Sequence, residues 1–323
     1  MKPQKILVTG IAGFIGSNFA NKFHALYPDT TIIGIDNLSS GRLSAVPDFV
    51  KFYQDSIVNR NNLSQIFIEH NPEYVFHFAA IPRVTYGVEH PDTTNEANVQ
   101  GTVEILNQSR LNGVKRVIIS SSSSVYGGAK NLPTKESENP PAPISPYALQ
   151  KYIDEQYCQL FSSLYALDTV CLRYFNVFGP GQYGDSAYST VISAWLENLY
   201  FPKQGKRAFI EGDGSKSRDF CYVDNVVQAN IKAMEYEGLL NGDVFNIAHG
   251  DRTTINEVRE LIEKFSNRKL DLEQRPDRIG DVAHTHADIS KAKNIFGYNP
   301  EINFEEGMRR TIKWQGERLN KKS

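Results

Sequence analysis

The run Ile6-Leu7-Val8 leads straight into Thr9-Gly10-Ile11-Ala12-Gly13-Phe14-Ile15-Gly16, and a helical pattern follows over 13–26. A strand that stops at closely spaced glycines and restarts as a helix has few ways to fold. The glycines let the backbone approach a pyrophosphate, which the free N–H groups and dipole of the helix start then face. Among 23 glycines the spacing alone arises by chance; the strand before it and the helix after it give it meaning. The next apolar run, 32–35, ends at Asp36, where a carboxylate is placed to grip adenosine ribose hydroxyls. That carboxylate repels a 2′-phosphate, and no Arg or Lys follows before Arg42, so the pattern favours NAD over NADP.

Further β-rich runs lie at 74–78, 117–119 and 170–175, with helix candidates at 95–112 and 146–166 between them. Most runs are continuously apolar, as strands covered on both faces are. After about residue 178 the loops lengthen and gain Gly and Pro, although Val244-Phe245-Asn246-Ile247 still reads as a sheet strand. The expected fold is α/β: a Rossmann-type doubly wound parallel sheet with a smaller C-terminal α/β substrate-binding lobe. The expected division is a NAD-binding domain over 1–177 and a lobe over 178–323, with a segment near 224–250 returning to the first domain.

With 40% hydrophobic and 22% charged residues the chain is ordinarily globular, which excludes disorder. A net charge of −2 without a basic stripe argues against nucleic acid as a partner. No apolar stretch is long enough to span a bilayer, and the start enters a strand without a signal-peptide core. Cys158, Cys171 and Cys221 are far apart and lack any Cys/His metal spacing. Buried free thiols, a cytoplasmic location and no metal are expected.

Tyr147 and Lys151 stand at i, i+4, so a helix places both on one face, where the ammonium stabilises a phenolate. A tyrosine, ordinarily near pKa 10, needs such a neighbour to act as a base near neutrality. The same spacing recurs at Tyr126 and Lys130, but Gly127-Gly128 makes a poor helix interior. Tyr147 instead follows Ser145-Pro146, an N-cap and a first helical residue. Ser122, in the serine run 120–124 at a strand end, offers a hydroxyl to a substrate oxygen; Ser123 and Ser124 suit local capping as well.

Taken in order, these residues resemble the extended short-chain dehydrogenase/reductase family, and within it the nucleotide-sugar 4-epimerases. The resemblance covers nearly the whole chain. It rests on Thr9 to Gly16, Asp36-Asn37-Leu38, Asp55, His77-Phe78-Ala79-Ala80, Asn98 with Gly101-Thr102, the serine run, Tyr147 with Lys151, Leu172-Arg173-Tyr174-Phe175-Asn176, Arg218-Asp219-Phe220, and Arg278 with Gly280-Asp281. It implies NAD held by Gly10, Gly13, Phe14, Ile15, Gly16, Asp36, Asn37, Gly41, Asp55, Ser56, Phe78, Ala79, Ala80, Asn98, Ser120, Tyr147, Lys151 and Tyr174. It implies a UDP-sugar held by Ser122, Ser123, Tyr147, Asn176, Arg218, Arg278, Asp281 and Thr285, with the two arginines on the diphosphate. A homodimer through a four-helix bundle of the helices near 95–112 and 146–166 is also implied; Leu160, Phe161 and Leu164 are compatible with it and would suit the core equally.

In the related dehydratases Asp and Glu follow the catalytic hydroxyl, and in the uronate decarboxylases a Glu precedes Val-Tyr-Gly. Here Ser123 and Ser124 stand at those positions, which disfavours both reactions. What remains is transient oxidation at C4, turnover of the 4-keto sugar, and reduction from the other face. Thr285 aligns with a pocket-wall residue that restricts the sugar when it is Tyr and leaves room for a 2-acetamido group when small. The expected pair is therefore UDP-N-acetylglucosamine and UDP-N-acetylgalactosamine, with UDP-glucose and UDP-galactose as a further pair. A UDP-glucuronate 4-epimerase and a net dehydrogenase or reductase stay open. A NAD-sensing scaffold would show a broken catalytic set, whereas Ser122, Tyr147 and Lys151 are all present.

Overall fold

The computed structural model describes residues 2–185, 189–202, 207–277 and 282–320. A seven-stranded sheet runs through its centre, every neighbouring pair parallel. Its strands are β1 (Lys5–Thr9), β2 (Thr31–Asp36), β3 (Lys51–Gln54), β4 (Tyr74–His77), β5 (Arg116–Ser122), β6 (Thr169–Tyr174) and the late strand Asp243–Ile247, which pairs with β6. From β1 the order runs to β2 and β3 on one side and to β4, β5 and β6 on the other. The winding therefore reverses beside β1, and the crevice outside the strand ends at such a reversal is where ligands bind in open α/β sheets.

The apolar runs are continuous because both faces of the sheet are covered. Ile6 and Val8 of β1 pack with Phe19, Phe23 and Phe76 on one face, while Leu7 joins Ile33, Val75 and Ile119 on the other. Successive side chains thus feed opposite cores. All three β1 residues are fully buried, each contributing about 1.5–3 kcal/mol. The short edge strand β3 escapes the pattern because Lys51 and Gln54 are exposed.

The helix α1 (Phe14–Leu26) follows β1, and α2 (Arg60–His70) follows β3. The single helix expected at 95–112 is broken into parts. After α3 (Val84–Glu89) and α4 (Pro91–Asn95), a π turn at Glu96–Gln100 precedes α5 (Gly101–Leu111). Two local causes are visible: the Thr102 hydroxyl donates back to the Asn98 carbonyl at 2.5 Å, and a side chain at Gly101 would collide with Ile57. The helix α6 (Pro146–Tyr165) starts as its sequence dictates, with Ser145 Oγ accepting from the Ala148 N–H at 3.2 Å and Pro146 in the first turn.

Beyond β6, short strands pair Ala208–Glu211 with Leu272–Arg275, and Ser217–Arg218 with Thr253–Thr254. Helices Val191–Tyr200, Ile255–Ser266 and Phe304–Asn320 close over them around Phe178, Trp195, Phe220, Val258 and Met308. Cys158, Cys171 and Cys221 are free and buried. Among the described residues no helix is long and apolar enough to cross a membrane.

Candidate active site

A cleft of about 1240 Å³ opens across the sheet's C-terminal edge. Pockets for one drug-sized ligand span roughly 300–1,000 Å³, so this one has room for two ligands end to end.

One end is formed by the glycine turn. Gly10 sits at φ +70°, where a side chain would strike the Ala79 backbone, and a side chain at Gly16 would run into the Gly10 carbonyl. α1 then begins at Gly13 with no side-chain cap on its first N–H groups. At the end of β2 the buried Asp36 accepts from the Ala12 N–H at 3.0 Å and the Leu38 N–H at 2.8 Å. Burial raises its pKa, against the pull of those two N–H groups. Asp55 accepts from Asn62 at 2.5 Å and Asn59 at 3.1 Å; although burial pushes it up, these bonds and the Ser56 N–H bring its pKa below the ordinary value. A bare helix start, a turn with no space for side chains and a carboxylate at the next strand end fit a dinucleotide.

Phe14, Ile15, Asn37, Ser56, Phe78, Ala79, Ala80, Ser120 and Tyr174 also line the cleft. Two expected cofactor residues do not. Asn98 is fully buried behind the wall, its amide paired with the Ile81 backbone and with Gln150 Oε1 at 2.8 Å. It fastens the loop after β4 to α6. Gly41 packs so closely on Ala12 that a side chain there would strike it.

In the middle of the cleft stand Ser122, Tyr147 and Lys151. Ser122 ends β5 and accepts from the Ser124 N–H at 3.2 Å, so it caps the following turn while its own proton stays available. Burial raises the Tyr147 phenol, whereas Lys151 and the Ser122 hydroxyl pull it down; the net direction is up. Lys151 is only 1% exposed, and its Nζ lies 3.3 Å from Asp154 Oδ2. Burial works against its charge, yet Asp154 and Tyr147 together hold its pKa above the ordinary value. The rival pair separates as expected. Tyr126 sits in a 3-10 turn, its hydroxyl on Asn246 at 2.7 Å, and Gly127 and Gly128 both take positive φ.

Beneath these residues lies a buried network built from residues of the same motifs, whose mutual contacts only the fold shows. Thr9 Oγ1 accepts from the Ala79 N–H at 3.2 Å and lies 2.7 Å from His77 Nδ1, which receives its proton because Thr102 spends its own on the Asn98 carbonyl and leaves Nε2 as the donor. His77 Nε2 then donates to Thr102 at 3.0 Å. Burial, with Lys151 nearby, pushes His77 down to about 3, so the imidazole is neutral. Beside this chain Glu155 binds Arg173 through two bonds of 2.8 and 2.7 Å and accepts from Ser121 at 2.5 Å. That pair locks α6 to β5 and β6.

The other end of the cleft is made by side chains from distant segments. Thr285 Oγ1 accepts from Asn176 Nδ2 and from the Asp219 N–H, each at 3.1 Å. Arg218 donates to the Ser217 and Ala283 carbonyls at 3.0 and 3.1 Å, and Ser123 also lines the cleft. Arg278 and Asp281 lie outside the described residues. Arg83, Tyr86 and Tyr183 line the cleft as well, and no motif points to them. Each lies in a loop or short helix without periodicity, so the sequence carries no signal for them.

Residues 6–248 match the NAD dependent epimerase/dehydratase family. A solved UDP-glucose 4-epimerase of Thermotoga maritima, bound to UDP-glucose, is 38% identical, with a TM-score of 0.91 over 98% of this chain and 99% of that one. A UDP-N-acetylglucosamine 4-epimerase of Methanobrevibacter ruminantium, in complex with UDP-N-acetylmuramic acid, is 37% identical, with a TM-score of 0.89 over 98% and 100%. A UDP-glucuronate 4-epimerase of Thermodesulfobacterium geofontis is 33% identical over 97% of this chain and 96% of that protein.

Proposed function

Since the chain belongs to the NAD-dependent epimerase/dehydratase family, we propose that it inverts C4 of a UDP-hexose, principally interconverting UDP-N-acetylglucosamine and UDP-N-acetylgalactosamine. UDP-glucose and UDP-galactose form a further pair on this reading. The observation that carries it is Ser122, Tyr147 and Lys151 on one wall of the cleft, with Ser123 and Ser124 where elimination or decarboxylation needs an acid.

NAD supplies the hydride acceptor, and afterwards the donor, at the sugar carbon. The protein's own groups handle protons and position. Tyr147 takes the proton of the 4-hydroxyl, and Lys151 stabilises the phenolate that precedes this. Ser122, its oxygen already occupied by the Ser124 N–H, turns its proton to the sugar oxygen. Arg218 and Asn176 hold the diphosphate while the 4-keto sugar turns over, and Tyr147 returns the proton when C4 is reduced on its other face. Affinity then comes from the nucleotide, which leaves the sugar free to rotate. The small Thr285, tied back to Asn176 and the Asp219 N–H, leaves room for a 2-acetamido group.

Separate incubation with UDP-glucose, UDP-N-acetylglucosamine and UDP-glucuronate, resolving C4 epimers without added NAD, tests the reading. Turnover should be fastest with the acetylated sugar, without accumulation of NADH. Net NADH release would show a dehydrogenase instead. Faster turnover of the glucuronate would favour a second reading, which Arg83 supports. It is the N-cap residue of α3 and lines the cleft, and a guanidinium suits a sugar carboxylate.

The protein also forms a homodimer on this reading. Leu160 and Leu164 are 50% and 67% exposed on α6, near exposed Leu149 and Tyr165. Of the three candidates, Phe161 belongs to the core. Sedimentation of Leu164→Glu should show monomer where the unaltered protein shows dimer.

A further inference from the structure

Behind Lys151, on the side away from the cleft, α6 carries a carboxylate that the proposed reaction does not use. Asp154 is completely buried, and Oδ2 lies 3.3 Å from Lys151 Nζ. Its other oxygen, Oδ1, is buried without a hydrogen-bond partner. The groups around it explain why. Thr102 of α5 faces the carboxyl, but its single proton goes to the Asn98 carbonyl at 2.5 Å, and it already accepts from His77 of β4. The Thr102 proton is therefore committed to Asn98 rather than to Asp154. Glu155, the neighbouring acid on α6, is bound by Arg173 of β6. Cys171, also on β6, is a neutral thiol whose pKa is raised.

A carboxylate in this place has one cation on one oxygen and nothing on the other. Burial pushes Asp154 up to about 7, against the pull of Lys151 and Thr102. When Asp154 is neutral, the Lys151 charge acts on Tyr147 in full. When it is ionised, its negative charge offsets Lys151 and raises the Tyr147 phenol.

We propose that Asp154 is a positioning residue for Tyr147 and Lys151: its buried carboxyl holds the ammonium from behind, and its charge sets the pH at which Tyr147 becomes a base. The proposal rests on Tyr147 as the base of the reaction above. Asp154→Asn keeps the shape and removes the charge. With NAD bound and no sugar present, the Tyr147 phenolate can be followed by its ultraviolet absorbance, as the difference from the same protein carrying Tyr147→Phe.

The Asp154→Asn protein should titrate about one pH unit lower than the unaltered one, giving about tenfold more phenolate below both midpoints. Asp154→Glu should restore the original midpoint. A residue that only packs would change the melting temperature and leave the midpoint in place, so coincident midpoints overturn the proposal. If Asp154→Asn does not fold, Asp154→Ser removes the same charge, retains a hydroxyl for Lys151, and carries the same expected shift. Turnover by Tyr147→Phe is the separate check. An active Tyr147→Phe protein overturns the base assignment itself, whereas an inactive one with coincident midpoints overturns the role of Asp154 alone.

Discussion

The two ends of the cleft are built from different materials. At the cofactor end the surface is mostly backbone: the Gly10 turn against Ala79, the uncapped start of α1, and the N–H groups of Ala12 and Leu38 that fix Asp36. At the sugar end it is mostly side chains, namely Arg83, Asn176, Arg218 and Thr285, each from a different segment. A backbone surface leaves little scope for substitution without strain, because its shape is that of the chain itself. A side-chain surface can be changed one residue at a time. The first end is therefore suited to a constant ligand and the second to a variable one.

The most severe way to break this arrangement is at the point where the two ends meet. Tyr147→Phe removes the proton acceptor and should lower kcat by about 10²–10⁴-fold, measured as C4 inversion, while NAD content stays unchanged. Lost NAD would mean that the Tyr147 hydroxyl serves the cofactor as well as the sugar. The next largest effect is expected at the backbone end. Gly16→Val drives a side chain into the Gly10 carbonyl. Overpacking of this kind costs about 1–3 kcal/mol, so NAD should bind roughly 10–100-fold more weakly, as measured by calorimetry. Unchanged affinity would show that the turn can yield, and the contrast between the ends would lose its basis.

The same difference decides what the sequence can disclose. Glycines at fixed spacing after β1, and Asp36 at the end of β2, are local features that can be read directly from the order of residues. So can the helix start that separates Tyr147 from Tyr126, because Ser145-Pro146 acts within one turn. Asn98 is a different case, since its motif identifies the residue without saying which way its amide faces. Asp154 is hidden for another reason. Nothing in the order of residues after Lys151 singles out Asp154, and only the packing of α6 against β5 and β6 shows that Lys151, Asp154 and Glu155 are all buried. Tertiary contact decides these cases, and such contact leaves no periodic trace.

At the sugar end the expected effect is smaller and selective. Thr285→Tyr should lower kcat/KM for UDP-N-acetylglucosamine about 10–100-fold and spare UDP-glucose, the range that steric discrimination in a pocket usually reaches. Equal losses on both substrates would remove the size argument. Because Thr285 also accepts from Asn176 and the Asp219 N–H, the melting temperature must be followed alongside.

The smallest effect is a slope, and it asks whether the cofactor end is the more sensitive to acid. His77 is fully buried, neutral, and joins Thr9 under the glycine turn to Thr102 on α5. Burial lowers its pKa from 6.5 to about 3. A lowered histidine leaves stability intact above the unfolded value, and stability is lost as pH falls from 6.5 toward 3, because only the unfolded chain gains the proton. The slope is about 1.4 kcal/mol per pH unit, or about 2 kcal/mol between pH 7 and pH 5. Asp154 and Asp219, both raised to about 7 chiefly by burial, act in the opposite sense: they lose stability as pH rises from 3.8 toward 7. The net curve of the protein therefore does not isolate His77, but a difference between two proteins does. His77→Gln keeps an acceptor for Thr9 and a donor for Thr102 without a titrating proton. Urea midpoints measured near pH 7 and pH 5 should fall less for this variant than for the unaltered protein, by about that amount. Parallel falls would mean that His77 does not carry the acid sensitivity of the glycine turn.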